Sequence, residues 1–361
     1  MTSIIAFVVV LGVLIIVHEL GHFITAKLAG IAVPRFSVGL GPKVWGFKWG
    51  ETEYVISALP LGGYVKMAGM GEEEALEKLE GGKSDLEVPP ERRFESKPIG
   101  TRAAVISAGV IMNFIFAIFA YAGIAHYTSW AALIGEVVEG APAQVAGIQA
   151  GDVIRTIDGN EIKVWGDLTE HIRARPDETI TVVVERGGRR LEFDTRVARI
   201  IEVDSLSGDT LVYGQIGVAP DPENAPRELG LAGSFVAGTK ATIGMSALVV
   251  HFLGQLFTGQ ASARDVGGPI LIGQLSGQAA RAGPLALITL MAILSVHLAV
   301  LNLLPIPILD GGHLVFLGIE AIRGRALSFD ARARLSQVGF LMILAIMVWA
   351  LTSDVLRLTG N

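Results

Sequence analysis

The 361-residue chain contains no cysteine. Disulfide staples and thiolate metal sites are therefore excluded, and any metal must be held by His, Asp or Glu. Charge is scarce as well: 18% of residues are Asp, Glu, Lys or Arg, against 51% hydrophobic, with a net charge of −6. There is no basic stripe, which argues against a nucleic-acid partner. The N-terminus lacks the basic residues and the small-x-small site of a signal peptide before Lys27, so its apolar run reads as an uncleaved first span.

What remains is apolar sequence gathered into long runs, with a mean hydropathy of +0.53. This is the pattern of a membrane protein with several spans. Four transmembrane helices are expected, at about residues 3–29, 103–126, 285–304 and 336–351. The apolar stretch 231–258 is interrupted by Lys240 and His251 and reads as an interfacial helix. Lys27 at the end of the first span and Arg35, Lys43, Lys48, Lys66, Arg92, Arg93 and Arg102 after it lead to the second span, and Arg323, Arg325, Arg332 and Arg334 lie between the last two. By the positive-inside rule both loops face the cytoplasm.

The first span carries His18-Glu19-Leu20-Gly21-His22. Histidines at i and i+4 of a helix stand on one face, one turn apart, where two imidazoles can share one Zn²⁺. The adjacent glutamate can serve as general base. The pattern is short and also arises by chance, but ionisable groups inside a membrane segment usually mark function. A rise of 1.5 Å per residue puts the motif about 20 Å into a core about 30 Å thick.

A third ligand must come from elsewhere. Asn302-Leu303-Leu304-Pro305-Ile306-Pro307-Ile308-Leu309-Asp310 ends the third span with two prolines that break the helix in an apolar setting. A carboxylate there needs a partner, and a metal suits it better than a helix-capping role. His18, His22 and Asp310 would leave one position of a tetrahedral site open.

Residues 34–70 hold short aromatic and β-branched runs between glycines, including Gly62-Gly63-Tyr64-Val65. These read as β-hairpins, either a small surface sheet or an open strand edge for an unwound substrate. Glu72-Glu73-Glu74 opens a polar helix or loop. Asn113 lies in the second span, where an amide can hydrogen-bond across helices. His126, at the end of that span, reads as interfacial. Residues 131–200 resemble a PDZ domain in its permuted bacterial order, with the Ala146-Gly147-Ile148-Gln149-Ala150-Gly151-Asp152 and Ile157-Asp158-Gly159 motifs, a helix at 167–174 and closing strands at 179–184 and 189–197. Such a fold can bind peptide or only block access.

In this order the motifs resemble the site-2 protease family, in its bacterial regulator-of-sigma-E protease branch. The resemblance covers nearly the whole chain. It implies an α-helical polytopic membrane protein with four transmembrane helices, membrane-associated β-hairpins and one inserted α+β PDZ domain. The expected organisation is a membrane core at 1–130, the PDZ domain at 131–200, a linker and interfacial helix at 201–284, and a second membrane core at 285–361. By the resemblance, His18, His22 and Asp310 bind zinc and Glu19 is the general base. Asn302, Asn113, Gly62, Gly63 and His297 are expected to meet substrate. His297 and Val110 depart from the family pattern, which has asparagine and proline there, and one PDZ domain stands where some relatives have two.

The implied function is zinc-dependent cleavage of single-pass membrane substrates, such as anti-sigma factors or remnant signal peptides, within the bilayer and after an upstream protease has acted. The implied location is the plasma membrane, with the active site toward the cytoplasm and the PDZ domain outside. The rival reading is a non-catalytic membrane adaptor with structural zinc; a retained general base argues against it.

Overall fold

The computed structural model describes residues 2–70, 88–203, 210–226, 228–260 and 266–359. The Glu72–Glu74 segment lies outside the described residues. Two compact units are present, one made of residues 1–121 and 239–361, the other of residues 122–238.

In the first unit the elements are α1 (Thr2–Leu28), β1 (Arg35–Trp49), β2 (Thr52–Lys66) and most of α2 (Ile99–Thr128). The second unit follows, and then come most of α5 (Leu231–Thr258), α6 (Pro269–Ala282), α7 (Pro284–Asn302), α8 (Asp310–Arg323) and α9 (Phe329–Thr359). Helices α1 and α2 approach closely because Gly21 has no side chain: a Cβ there would lie 2.2 Å from the carbonyl oxygen of Ala108. Small residues at such crossings let backbones meet where no hydrophobic drive separates helix from lipid.

Five described helices are long and apolar enough to cross a membrane: Thr2–Leu28, Ile99–Thr128, Leu231–Leu256, Pro284–Asn302 and Asp330–Arg357. The chain is a multi-pass membrane protein. The helix at 231–258, read from sequence as interfacial, is among these five by length and composition; its Met245, Val249 and Leu253 pack with Phe114, Ala117 and Tyr121 of α2 and Val296 and Val300 of α7. Lys240 and His251, the residues that broke the apolar pattern, are exposed, so neither interrupts that packing. The short α6 packs along the start of α1, where Gly277 leaves room for Ser3. Its N-terminus is capped by Asp354 of α9, whose carboxylate accepts the backbone N–H groups of Gly268, Ile270 and Leu271 at 2.9–3.1 Å.

Strands β1 and β2 fold into a sheet of four segments. Residues 35–38 pair with 53–56 on one side and with 63–66 on the other, and 45–49 pair with 52–56. The segment 63–66 is therefore an edge, and β2 packs against α1. Trp45, Phe47 and Trp49 at the far end are exposed.

The second unit has β3 (Ile134–Val137), α3 (Pro142–Ala146), β4 (Val153–Ile157), β5 (Asn160–Glu161), α4 (Trp165–Arg173), β6 (Thr179–Arg186), β7 (Arg189–Arg196), β8 (Ala198–Val203), β9 (Thr210–Gln215) and β10 (Val218–Pro220). The main sheet has the order β5-β4-β6-β7, and β10 pairs antiparallel with β3. Alternating Ile154, Ile180, Val182 and Val184 bury one face of this sheet against Leu168 of α4. The carboxylate of Asp152, fully buried, accepts both the Gln149 N–H and the Arg186 guanidinium, which ties the loop before β4 to β6.

Candidate metal centre

Helix α1 presents His18 and His22 one turn apart, with ring centroids 4.8 Å from each other. Asp310 is the first residue of α8 and turns its carboxylate toward both rings. Its Oδ2 lies 3.3 Å from His18 Nε2 and 3.5 Å from His22 Nε2, and the two Nε2 atoms are 3.2 Å apart. These three donor atoms all lie within 4.8 Å of one another. Asp310 Oδ2 is buried against the two ring nitrogens, and no hydrogen bond of good geometry satisfies it. A carboxylate oxygen left that way in a low-dielectric setting is costly unless a cation completes it.

The loop before α8 brings Asp310 into position under strain. Ile308 has φ +103°, a left-handed conformation that a β-branched residue rarely takes. The loop is clamped from three sides by glycines. Added Cβ atoms would lie 2.3 Å from Leu303 O at Gly311, 2.3 Å from Ile306 O at Gly312, and 1.6 Å from Pro307 O at Gly339 of α9.

Helix α2 supports both imidazoles from behind. His22 Nδ1 donates to the carbonyl oxygen of Val105 at 2.9 Å, which leaves the lone pair of its Nε2 facing the centre. Asn113 Nδ2 is 3.1 Å from His18 Nδ1. Between them Gly109 leaves the space that the rings occupy, since a Cβ would be 2.3 Å from His22 Nε2. On the other side, β2 abuts the glutamate: the Glu19 carboxylate accepts the Val65 N–H, and a Cβ on Gly63 would be 3.3 Å from Glu19 Cγ.

Among the residues expected to meet substrate, Gly63 lies on the edge segment of the sheet beside Glu19, and Gly62 immediately precedes that segment with φ +98°. Asn302 reaches the centre, with Nδ2 3.5 Å from His18 Nε2. Asn113 is 0% exposed and faces His18, so it has no surface to offer a substrate. His297 donates its Nδ1–H to Ile293 O of its own helix at 2.8 Å and stands outside the His18, His22, Asp310 group. Sequence reasoning gave no role to Val105, Gly109 or Gly339, and it named Val65 only as part of the hairpin region, without its contact to Glu19.

The sequence profile of peptidase family M50 matches residues 6–346. The chain belongs to that family. It is a metalloprotease, as the resemblance implied. A relative from Agrobacterium fabrum, named "Putative zinc metalloprotease Atu1380", is 37% identical over 99% of this chain and 96% of its own. Zinc metalloprotease RasP of Shouchella clausii is 30% identical over 99% of this chain and 100% of its own, and RasP of Geobacillus kaustophilus is 32% identical over 98% and 97%. Among solved structures, the PDZ domain of an SdrC-like protein from Listeria monocytogenes covers 24% of this chain and 82% of its own at 22% identity, with a TM-score of 0.19.

Proposed function

We propose that this M50 peptidase is an intramembrane zinc endopeptidase that cleaves transmembrane segments of single-pass membrane proteins. The observation that carries the proposal is the convergence of His18, His22 and Asp310, with Glu19 adjacent, on helices of membrane-spanning length. Two imidazole nitrogens and one carboxylate oxygen form a donor set suited to Zn²⁺, with a coordination position left open. The buried Asp310 Oδ2, satisfied by no well-formed hydrogen bond and grouped with two ring nitrogens, fits a ligand of such a site. Bound there, zinc supplies Lewis-acid polarisation of the scissile carbonyl and lowers the pKa of water.

The chain's own residues supply the rest. Glu19 takes a proton from the attacking water on its carboxylate and passes it to the leaving amide nitrogen. The Val65 N–H holds that carboxylate in place. Asn302 offers an amide N–H₂ at the rim of the centre for the substrate carbonyl. A peptide bond in a helix is shielded and its carbonyl already hydrogen-bonded, so the substrate must unwind before cleavage. Segment 63–66, paired with residues 35–38 on one side only, offers an edge for it beside Glu19; the Val65 N–H is engaged by Glu19, so pairing uses the other backbone groups of the segment. An extended substrate can pair there by strand addition.

We read unit 122–238 as a PDZ domain outside the cytoplasm, excluding substrates with bulky outer domains. The reading rests on its sequence motifs and on a four-stranded sheet covered by α4. The basic residues of the 29–98 and 324–334 loops favour a cytoplasmic position for both, hence an active site toward that side of the plasma membrane. Trimmed anti-sigma factors or remnant signal peptides, left by an upstream protease, have the required form.

The test is cleavage of a reporter transmembrane helix by purified wild type and Glu19→Gln in detergent and in vesicles. Wild type cuts, while the variant binds zinc equally but loses about 10²–10⁴-fold in rate. Equal turnover by both sinks the assignment.

A further inference from the structure

Resting on the zinc reading above, we propose that Asn113 is a positioning residue that selects the metal-binding tautomer of His18. The two zinc-directed imidazoles are held from behind by the same helix, but by different chemistry. His22 Nδ1 faces the Val105 carbonyl oxygen, a group that only accepts, so its tautomer is fixed with the lone pair on Nε2. His18 Nδ1 faces a side-chain amide, which can donate or accept.

In this structure Asn113 Nδ2 is 3.1 Å from His18 Nδ1, and its Oδ1 is buried without a hydrogen-bond partner. With Nδ2 donating, Nδ1 accepts and His18 carries its proton on Nε2, the atom 3.3 Å from Asp310 Oδ2. That tautomer cannot ligate a metal through Nε2. A half-turn about Cβ–Cγ of Asn113 brings Oδ1 to the same place, where it accepts from Nδ1–H. The ring stays neutral: one proton leaves Nε2, one is taken up on Nδ1, and the Nε2 lone pair turns to the centre. The outer partner of a ligating histidine sets its orientation and basicity in this way, and its loss typically costs about 10–100-fold in metal affinity. Asn113 is well placed for the role. It is fully buried, and its own carbonyl oxygen accepts Ser295 Oγ–H at 2.9 Å, which pins this turn of α2 to α7.

The experiment is zinc competition against a chromophoric chelator, using the purified full-length protein. Asn113→Leu, close in size but unable to accept, binds zinc about 10–100-fold more weakly than wild type. Asn113→Asp, which can only accept, stays within about threefold. ¹⁵N-histidine spectra of zinc-loaded wild type show His18 protonated at Nδ1 and metal-bound at Nε2, a readout that does not depend on any variant folding. Equal affinity of Asn113→Leu and wild type, or a His18 proton on Nε2 in the loaded protein, overturns the inference alone. A wild type that binds no zinc overturns the underlying reading with it.

Discussion

Gly109 and His22 stand so close that a methyl group on the glycine would lie 2.3 Å from the imidazole Nε2, and 2.7 Å from His18 Cε1. The space for both rings is carved out of α2 by one missing side chain. A rigid Cβ rooted in a helix backbone has no way to swing aside. Gly109→Ala must therefore displace both rings or push α2 away from α1. The expected result is loss of zinc affinity by about 100-fold or more, with helix content unchanged. Metal content by atomic absorption, together with circular dichroism, checks it. Gly12→Ala on α1, where a Cβ meets nothing within 4 Å, is the neutral control.

A second prediction concerns the carboxylate's support. Gly339 of α9 lies against Pro307 O, and a Cβ there would be 1.6 Å away. Gly339→Ala must move the strained loop that carries Asp310. The variant should lose about 1–3 kcal/mol of stability from overpacking and most of its cleavage activity. Melting temperature in detergent and reporter cleavage measure the two effects. Near-normal cleavage with an unchanged melting point would show that the loop tolerates the shift.

Acid should loosen the hairpin before the helices. Burial alone would raise the Glu51 carboxyl, but hydrogen bonds from Lys27 and Arg92 outweigh it and hold the group below the usual range. For Glu53 the Lys43 hydrogen bond leads, with Arg35 adding to it against burial. Both carboxyls have folded values below their unfolded ones. Their contribution is therefore full above about pH 4.3 and is lost as the pH falls through the lower, folded values. The pairs are partly exposed, so each contributes about 1 kcal/mol or less. Glu51→Gln combined with Glu53→Gln should flatten the acid limb of a melting-temperature profile between about pH 5 and 3.

Chelation should separate activity from folding. The three donor side chains sit on elements already held by helix and strand packing, in contrast to small domains that fold only around their metal. Removing zinc is expected to abolish cleavage and lower the melting temperature by only a few degrees, with activity restored by stoichiometric zinc. Global unfolding on chelation would instead assign the metal a structural role.

How much of this was readable in advance depended on the kind of group involved. The imidazoles announce themselves because two side chains at helical spacing are a pattern in letters. Asp310 does so because prolines ahead of a carboxylate are costly in an apolar setting. The Val105 carbonyl carries no signature, since every residue has one. The doubled pairing of residues 35–38 was hidden for a related reason: alternation shows that a strand exists but does not name its neighbours. The segment 231–258 is hard to read because Lys240 and His251 are ionisable, and hydropathy alone does not reveal that both are exposed, away from the packed face. Asn113 was visible as a polar residue in a span. Whether it faced substrate or His18 depended on the rotation of α2, which Gly21 and Gly109 fix through contacts with α1 that are distant in sequence.

The placement of Asp310 has a consequence for biogenesis. A ribosome that has made α1 and α2 has already released two histidines and a glutamate into the lipid, but the third ligand is still unsynthesised. The nascent chain is a protease without a grip on its metal, surrounded by the other newly inserted helices of the translocation site. On this reading it becomes able to cut only after Asp310 has been made and inserted, so a chain stalled before that point lacks the full donor set.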